Sequence, residues 1–426
     1  MKEYKISSER VYYCAPNINI GMAVDILGNP TVEQLKQSII KAVASHELLC
    51  CSIQQDYLGE CYYLPKKYPN IKIEVRKMKT FEDWKEIILE EQRIPFNLEA
   101  GELIRFYILQ AKDLMQLIVI SHHLAGDGNS ITYLIQDIMM QLSGESISTN
   151  QKRMKLVEEK DFPQETNLKG YLKPFIFLLN RKWKQEGRRF ENSEYLNMFE
   201  NYWRNQQNAI NHVNFNEQFL SNLLAISKKN HVSLNSLIVT AYLSVSQAKK
   251  LGVAVSIRPL DFKGMGNYAS IIKIQYSYNS KKTFWENAQC VQKLIYQSLN
   301  DNQKKFFLVD FFKALSPTLI DSIYFNTLTI FSQSASSYLK NLLGFKRESS
   351  NFGISNLTRV DIATKYGKFE INNLIFLPPL IFNSQQILGV ATLNNKLNIT
   401  MHYNKKNHQQ KSVFKEMIEV LENLVK

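Results

Sequence analysis

The 426-residue chain is 45% hydrophobic and 21% charged, proportions that are typical of a globular protein with a buried core and exclude a disordered chain. Its formal net charge of +13 comes from scattered Lys and Arg residues without a zinc-ligand spacing or an RNA-binding signature, so we expect no nucleic acid partner, while an anionic membrane or an anionic cofactor such as CoA stays open. Five cysteines without a C-x-x-C pair, an N-terminus without the apolar core of a signal peptide, and no window of 18 uninterrupted apolar residues predict a cytoplasmic protein without disulfides or a spanning helix.

The first 142 residues alternate strand and helix patterns. Thr31 and Gln34 form the sequence pattern of a capping box, and apolar residues then recur at helical spacing up to Leu48, which predicts a helix. The run LMQLIVI at 114–120 is typical of a strand that is buried on both faces. We predict strands at 9–14, 17–26, 50–57, 71–77, 103–110 and 114–121, and helices at 31–48, 81–92 and 129–142.

The polar, weakly patterned segment 143–165 is the best candidate for a domain boundary. The residues that follow it, 168–190, combine an apolar aromatic run with a basic end. That pattern suits either an amphipathic helix at a membrane surface or a helix whose apolar face covers a cleft in the core, and we favour the second. The boundary predicts an N-terminal domain of residues 1–165 and a C-terminal domain of residues 166–426.

The second half repeats a mixture of strands and helices, without a short tandem repeat. Ser233 marks the start of one helix, and Asn394-Asn395 separates two apolar runs in the manner of a hairpin turn. A last amphipathic helix closes the chain. We predict helices at 234–247, 284–299 and 412–425, and strands at 252–257, 270–277, 386–392 and 395–402.

Residues 121–128, with the sequence SHHLAGDG, follow the apolar strand and precede a helix. A histidine at the end of a rigid strand can act as a general base because its ordinary pKa lies near neutrality. The free N–H groups at the start of the helix can stabilise a developing oxyanion. A histidine pair in a loop is often only structural, and Asp-Gly is often only a turn. Two of the seven histidines in the chain meet Asp127-Gly128 here, however, and the combination favours a catalytic site.

The string HHLAGDG resembles the HHxxxDG signature of the chloramphenicol acetyltransferase-like superfamily, which includes peptide-synthetase condensation domains, polyketide-associated acyltransferases, alcohol acetyltransferases and wax ester synthases. Weaker patterns extend the resemblance over nearly the whole chain. They are the segment 94–105, similar to PFDLxxGPLxR; the arginine and Gly-Asn segments Ser256–Pro259 and Gly266–Tyr268; the Ser-Asn-Leu strand at 353–357; and the last sheet strand at 397–400.

The resemblance implies a role for each residue of the signature. His123 is expected to be the general base that takes the proton of the acceptor, and His122 its structural neighbour. Asp127 is expected to form a salt bridge with Arg258 that shapes the site, although Asp127 could only cap the helix and Arg258 could be a plain surface cation. Gly128 would allow close approach of the backbone, and its N–H is the candidate oxyanion donor.

Further residues are expected near the substrate. By the same resemblance, Asn267, Ser355 and Asn356 are candidates for substrate binding, and Arg105 is a packing and hydrogen-bonding residue. No metal is expected, because no histidine pairs with carboxylates at ligand spacing on one helix.

The resemblance also implies an α+β fold. We expect two chloramphenicol acetyltransferase-like lobes, each a two-layer sandwich of a sheet backed by helices. A tunnel that opens at both faces is expected to run between the lobes, with His123 near its middle. Because one chain supplies both lobes, we expect a monomer.

The expected activity is the transfer of an acyl group from a CoA or carrier-protein thioester to an alcohol, which makes an ester. Acyl-CoA or acyl-phosphopantetheine would be a co-substrate, and no cofactor would be bound permanently. A free-standing condensation enzyme that forms an amide between carrier-bound substrates is the alternative enzyme, and an acyl carrier protein is then a partner. A non-catalytic docking module is the alternative outside the enzymes. The 168–190 segment leaves peripheral membrane contact open.

Three positions depart from the pattern of the superfamily. Asn97 and Glu102 replace its usual Asp and Pro, and Thr358 stands where a Gly often follows Asn-Leu. The Asp-Phe-Gly-Trp-Gly string of the plant BAHD acyltransferases is absent, which argues against that branch. The departures leave the general base intact and the subfamily open.

Overall fold

Two six-stranded sheets, each covered by helices, and a separate group of packed helices organise the protein. The fold is therefore of the expected α+β class with two lobes. The computed structural model describes residues 3–147, 172–246, 248–345, 351–381, 384–406 and 409–426, and between 148 and 171 only residues 154–157, 162, 163, 166, 168 and 170. Most of the predicted boundary segment 143–165 lies outside the described residues.

The first sheet has the strand order β12-β13-β2-β7-β6-β5. Its strands are β2 (Asn19–Leu27), β5 (Asn70–Lys77), β6 (Glu102–Gln110), β7 (Met115–His122), β12 (Lys365–Tyr366) and β13 (Phe369–Leu377). Three helices pack on it: α2 (Val32–Ser45), α3 (Asp83–Glu91) and α4 (Gly128–Ser143). A small sheet of order β1-β4-β3 adjoins this lobe, formed by β1 (Tyr4–Ile6), β3 (Cys51–Gln55), preceded by the 3₁₀ helix Glu47–Cys50, and β4 (Cys61–Pro65).

Strand β7 is the centre of this lobe, and all of its residues are buried, as its uninterrupted apolar run predicts. Val119 belongs to the core shared with α2 and α4, whereas Ile118 packs in the core that contains Trp84 of α3, because successive side chains of a strand point to opposite faces. The predicted capping box of Thr31 and Gln34 is present at the start of α2. The strand that leads into residues 121–128 is therefore covered by α2 and α4 on one face and by α3 on the other.

The second sheet has the strand order β10-β9-β11-β14-β15-β8. Its strands are β8 (Asn208–Phe215), β9 (Lys250–Ser256), β10 (Ala269–Gln275), β11 (Asn351–Arg359), β14 (Gln386–Leu393) and β15 (Lys396–Asn404), and it packs against α7 (Glu217–Lys229), α8 (Leu234–Val245), α9 (Phe284–Leu299) and α13 (Gln409–Leu424). Ser233 caps α8 as predicted. The predicted hairpin is confirmed, since Asn394 and Asn395 both have positive φ angles, of 50° and 56°, as a tight two-residue turn requires.

The division of the chain at residues 165 and 166 does not separate the two sheets. Strands β12 and β13 belong to the second predicted domain, yet β13 pairs antiparallel with β2 in the first sheet. This pairing satisfies the backbone N–H and C=O groups along one edge of β2, which would otherwise be open to other chains. It also brings Asn373 of β13 within hydrogen-bonding distance of Asn214 and Asn398, which lie on strands of the second sheet.

The remaining helices form a third core of their own. They are α1 (Arg10–Tyr13), α5 (Leu172–Glu186), α6 (Asn192–Arg204), α10 (Asn302–Ala314), α11 (Pro317–Thr327) and α12 (Ser334–Leu343); α5, α6 and α10–α12 are called the helical layer below. The prediction of a strand at 9–14 is wrong, because residues 10–13 form a helical turn. Arg10 within it is fully buried against Asp321 of α11.

Helix α5 agrees with the favoured interpretation of segment 168–190. Its residues Ile176, Leu179 and Trp183 are buried in the third core, and the indole N–H of Trp183 donates a hydrogen bond to Thr318 Oγ1 over 2.8 Å. Phe177 and Leu178 remain exposed on its other side. Within the part of the chain that the structure describes, no helix has both the length and the apolar character that a membrane span needs.

Candidate active site

His122 and His123 stand side by side at the end of β7 but point into different surroundings, as neighbouring residues at a strand end do. The ring of His122 lies edge-on to Phe96, with 5.7 Å between the ring centroids, and its Nδ1 accepts a hydrogen bond from the backbone N–H of Leu124 over 3.2 Å. Burial, together with His123 and Arg105, lowers the pKa of His122 to about 3. This histidine is therefore a neutral part of the packing, and its bond to Leu124 shapes the loop.

His123 is held by contacts to both its ring face and its ring edge. Tyr12 stacks on it with 4.5 Å between centroids and an angle of 5° between the planes, and the Nδ2 of Asn267 lies 3.0 Å from its Nδ1. Burial lowers the pKa of His123 to about 4, although nearby Asp127 and a hydrogen bond to its own carbonyl group act in the opposite direction. The imidazole is therefore neutral at physiological pH, as a proton acceptor must be.

The position of the proton on His123 decides which ring nitrogen can act as a base. A proton on Nδ1 can be donated to the residue's own carbonyl oxygen and leaves the lone pair on Nε2 free, whereas a hydrogen bond from Asn267 to Nδ1 requires the proton on Nε2. No residue in the described part of the chain hydrogen-bonds to Nε2 of His123. Nε2 is thus the nitrogen at which an incoming group would displace no protein partner.

The expected ion pair between Asp127 and Arg258 is present across the two lobes. Arg258 donates from Nη2 to Asp127 Oδ1 over 2.8 Å, and both side chains are almost fully buried. Asp127 also caps α4 by accepting from the N–H of Ser130, so that its two expected roles coexist, and its second oxygen accepts from the N–H of Tyr268 over 2.9 Å. One carboxylate therefore fixes the start of α4 and the loop that carries Asn267.

Gly128 is the first residue of α4 and is buried where the two lobes meet. A Cβ atom on this residue would lie 2.8 Å from Leu357 Cδ2 and 3.1 Å from the ring of Phe376, so only glycine fits without movement of its neighbours. Leu357 belongs to the Ser-Asn-Leu segment of β11, which the structure thus brings against residues 121–128, the signature loop. A role of the Gly128 N–H as oxyanion donor stays a prediction.

Asn356 and Ser355 lie on β11 beside that contact. The amide of Asn356 accepts from the N–H of Thr358 over 2.7 Å and donates to Asn235 Oδ1 over 3.0 Å, so both of its ends are engaged in holding a bulge in the strand. Ser355 is half-buried and pairs with Gly389 of β14. A substrate-binding role for these two residues stays a prediction, whereas Asn267 contacts the His123 ring directly.

Arg105 has the expected role in packing and hydrogen bonding. Its guanidinium donates to Glu91 and Glu102 and to two backbone carbonyl groups of the 94–105 segment, and it lies 4.0 Å from the centroid of Phe96. Phe96 in turn contacts His122. The segment therefore packs against His122, and none of these hydrogen bonds and ring contacts involves the His123 ring.

A cavity of about 550 Å³ is lined in part by Tyr12 and Asn267, the two residues that contact His123, whereas His123 itself is not among its lining residues. Its volume is in the range of sites that hold drug-sized ligands. It runs between one face of β9, β10 and β11 and the helices α10 and α12, and its walls are mainly apolar, with Lys250 and Lys273 on neighbouring strands. The apolar wall includes Val11, Ala15, Ile271, Leu308, Phe312 and Phe352. A tunnel open at both faces stays a prediction.

Several residues of the site were missed from the sequence. Tyr12 and Glu9 line the cavity, Tyr63 donates to the carbonyl oxygen of Leu124, and Ser130 bonds to Arg258 and Gly266. The spacing of three between Glu9 and Tyr12 is a helical signal, but the segment is too short to show a period. Tyr63 and Ser130 carry no local signal, because their partners are distant in sequence.

The fold defines a class of protein: two-lobed enzymes and domains of the condensation and chloramphenicol acetyltransferase type. The first condensation domain of the CDA synthetase is similar with a TM-score of 0.65, 10% identity and coverage of 99% of this chain and 95% of that one. The condensation domain of the monacolin K polyketide synthase MokA has a TM-score of 0.64, 10% identity and coverage of 100% and 98%. TRI3 trichothecene 15-O-acetyltransferase from Fusarium sporotrichioides has a TM-score of 0.63, 10% identity and coverage of 99% and 94%. At these identities the likeness shows the fold alone.

The sequence comparison assigns the family. The condensation-domain family model matches residues 17–301, which is more than half of the chain and contains the whole signature loop, Arg258 and Asn267. The chain therefore belongs to the condensation-domain family. Among curated protein sequences, none matches it closely enough to count as a relative.

Proposed function

We propose that this protein transfers an acyl group from a CoA or carrier-protein thioester to an alcohol, with His123 as the general base. The observation that carries the proposal is the state of His123: a neutral imidazole that stacks on Tyr12 and lies 3.0 Å from the amide of Asn267, two residues that line an apolar cavity. A base of this kind typically contributes a rate factor of about 10² to 10⁴.

In the proposed reaction the neutral ring of His123 carries its proton on Nδ1, directed at its own carbonyl oxygen, so that Asn267 is a neighbour of Nδ1 and not its donor. Nε2 of His123 then takes the proton of the acceptor hydroxyl while the oxygen attacks the thioester carbonyl carbon. The negative charge that develops on the carbonyl oxygen is stabilised by N–H groups at the start of α4, with that of Gly128 as the first candidate. The carbon–sulfur bond then breaks, and the imidazolium returns the proton to the leaving thiolate. The products are an ester and a free thiol, so that protons and electrons balance without a further reactant.

The cavity and the charge of the protein support the choice of substrates. The walls beside Tyr12 are mainly apolar, so we expect the acyl group or the acceptor to carry an apolar body. The net charge of +13 favours a donor with phosphate groups, such as CoA or phosphopantetheine. That one similar structure is a 15-O-acetyltransferase agrees with an alcohol as the acceptor.

The second candidate is a condensation reaction that forms an amide between carrier-bound substrates. It is favoured by the family match and by the similar condensation domains of synthetases. A carrier-protein gene beside the gene of this protein would support it. A non-catalytic docking module is the third candidate, against which stands the presence of both His122 and His123 in an intact loop.

The test is a thiol-release assay with acyl-CoA donors of increasing chain length and a panel of alcohols and amines, followed by mass spectrometry of the products. We expect an ester product and a loss of about 10²- to 10⁴-fold in rate for His123→Ala. His231→Asn is the matched control: His231 is exposed and has a φ of 55°, a conformation that asparagine tolerates.

Each outcome separates the candidates. An unchanged rate in His123→Ala would exclude the base assignment. Turnover only with carrier-bound donors and amines would favour the condensation reaction. No turnover with any donor, while labelled acyl-carrier protein still binds, would favour the docking module.

A further inference from the structure

The carboxyl group of Glu9 is buried in the wall of the cavity, and the proposed reaction does not use it. Glu9 directly precedes α1 and is only 6% exposed. It lies one helical turn from Tyr12, which stacks on His123. A buried carboxyl group next to a reaction site needs a physical reason, because burial of its charged form is costly. The hydrogen bonds around Glu9 supply one.

The hydroxyl group of Tyr63 lies between two oxygen acceptors. It is 3.0 Å from Glu9 Oε2 and 2.8 Å from the carbonyl oxygen of Leu124, and all three groups are buried. A tyrosine hydroxyl has one proton and can donate it to only one of them. Both contacts are satisfied together only if Tyr63 donates to Leu124 and a protonated Glu9 donates to the oxygen of Tyr63. The geometry therefore fits the protonated form of Glu9.

Glu9 reaches His123 by two routes. On one side Tyr63 holds the carbonyl group of Leu124, the residue that follows His123. On the other side the backbone N–H of Asn267 lies near the carboxyl group of Glu9 and acts to lower its pKa, and the side chain of Asn267 lies 3.0 Å from His123 Nδ1. The loop that carries the imidazole is thus tied to the carboxyl group through Tyr63, and Asn267, which contacts the imidazole, lies beside the same carboxyl group.

The charges around Glu9 oppose its ionisation. Asp127 adds a second negative charge nearby and is itself paired with Arg258. The other titratable groups that face Glu9 are the hydroxyls of Tyr63 on β4 and Tyr12 on its own helical turn. In the described part of the chain no cation pairs with Glu9, and the neighbouring Arg10 turns to Asp321. Burial, helped by Asp127, raises the pKa of Glu9 to about 7, although its bond to Tyr63 and the nearby backbone N–H of Asn267 act against this.

We propose that Glu9 is a positioning residue for His123, which holds the loop in its working geometry when the carboxyl group is protonated and releases it when the group ionises. This rests on the proposed function of His123 as the base. On ionisation the proton of Tyr63 turns to the carboxylate, and the buried carbonyl group of Leu124 loses its donor. The rate of acyl transfer then falls as the pH rises through 7, while His123 itself stays neutral throughout.

The first experiment compares pH profiles of kcat/KM in the acyl-transfer assay. For the wild type we expect a decrease of about fivefold above pH 7, the size expected when one orienting hydrogen bond is lost. Glu9→Gln keeps a donor toward Tyr63 but cannot ionise, so its profile should lack the step near pH 7. Asp25→Asn is the control, because Asp25 is another buried carboxyl with a raised pKa and lies away from His123; its profile should keep the step.

Tyr63→Phe provides a second variant should Glu9→Gln fold poorly. It removes the donor to Leu124 at every pH, so we expect the lower rate throughout and no step near pH 7. A wild-type profile without a step near pH 7, or a step that persists in both Glu9→Gln and Tyr63→Phe, would overturn the proposal.

The second experiment follows His123 directly and does not need turnover. In ¹⁵N-histidine NMR spectra, with the His123 signals identified by their absence in His123→Ala, the imidazole shifts of the wild type should change with a midpoint near pH 7. The same signals should not change there in Glu9→Gln. Such a shift in a protein that transfers no acyl group would leave the link between Glu9 and His123 standing and refute the proposed function. Active protein without the shift would refute the link alone.

Discussion

Two buried arginine–aspartate pairs connect distant parts of this chain, and they do so in different ways. Asp127 and Arg258 join the signature loop to the loop after β9, and most of their further partners are backbone groups: the N–H of Ser130 and Tyr268, and the carbonyl groups of Gly264 and Gly266. Arg10 and Asp321 join α1 to α11, and the further partners of Asp321 are the side chains of Tyr195 and Cys14.

The difference teaches what each pair determines. A carboxylate that accepts from backbone N–H groups fixes the path of the chain, so the Asp127 pair sets the position of His123 and Asn267. A pair whose partners are side chains satisfies charges inside a packed core. The path of the backbone around it is fixed by the hydrogen bonds within the helices. We therefore expect the first pair to affect activity and stability, and the second to affect mainly stability.

The largest effect is expected for Asp127→Ala. The substitution leaves Arg258 buried without its partner and removes the cap of α4, so the free energy of unfolding should fall by about 3–5 kcal/mol. The rate of acyl transfer per folded molecule should also fall by at least tenfold, because the loop around His123 loses its anchor. Denaturant unfolding and the thiol-release assay measure the two effects. A folded variant with the wild-type rate would remove the distinction between the pairs.

Asp321→Ala should be as destabilising but less harmful to activity. Arg10 would remain buried without a charge partner, which costs about 3–5 kcal/mol, whereas the signature loop keeps its backbone bonds. We expect a lower melting temperature together with less than a tenfold change in the rate per folded molecule. The double variant Arg10→Met with Asp321→Leu should recover most of the stability, since apolar residues of similar size can replace a buried pair. Failure of that recovery would show that the pair also directs the backbone.

Acid should weaken the region of the first pair before the helical layer. Burial lowers the pKa of His122 to about 3, and of His123 and His402 to about 4, and the helical layer contains no histidine. A histidine whose pKa is lower in the folded state than its ordinary value of about 6.5 stabilises the fold above that value, and the contribution is lost as the pH falls toward 4.

Hydrogen exchange at pH 7 and pH 5, corrected for the intrinsic rates, measures this. Protection should fall in β7 and at the start of α4 more than in α11. Equal loss of protection in both regions at pH 5 would contradict this expectation.

The pH dependence of stability that comes from Glu9 has the opposite sign. The pKa of Glu9 is raised from 4.5 to about 7, so its contribution to stability is complete below pH 4.5 and is lost as the pH rises to 7. The melting temperature of Glu9→Gln relative to the wild type should therefore increase over that interval.

The smallest effects concern two strained threonines, one in each region. Thr358 in the bulge of β11 and Thr329 after α11 have φ angles of 58° and 61°, which a β-branched side chain adopts only under strain. Replacement of either threonine by glycine should remove about 1–2 kcal/mol of backbone strain. The greater conformational freedom of glycine in the unfolded chain should offset about 0.5–1 kcal/mol of this gain in stability. We expect a small rise in melting temperature for both variants. Only Thr358→Gly should alter the rate, because its neighbour Leu357 packs against Gly128.

The backbone conformation of Thr358 explains why a glycine is common at this position in the superfamily. The superfamily often has a glycine there, and the structure shows a left-handed backbone at this residue, where glycine has no steric cost.

The strand, the loop and the helix around His123 could be predicted because each depends on a local pattern: an apolar run, an Asp-Gly turn and a cap at Asp127. The pairing of Asp127 with Arg258 was expected only through a family resemblance.

What the sequence by itself determined is therefore the set of local elements and the residue types at the centre of the site. Only the tertiary structure decided that Tyr12 stacks on His123, that Asn267 reaches the same ring, and that β13 completes the first sheet. The four residues of α1 are too few to show a helical period, and their conformation follows from contacts such as that of Arg10 with Asp321, which is 311 residues away. Local periodicity is written into neighbouring residues, whereas contacts over such separations depend on how all the layers pack together.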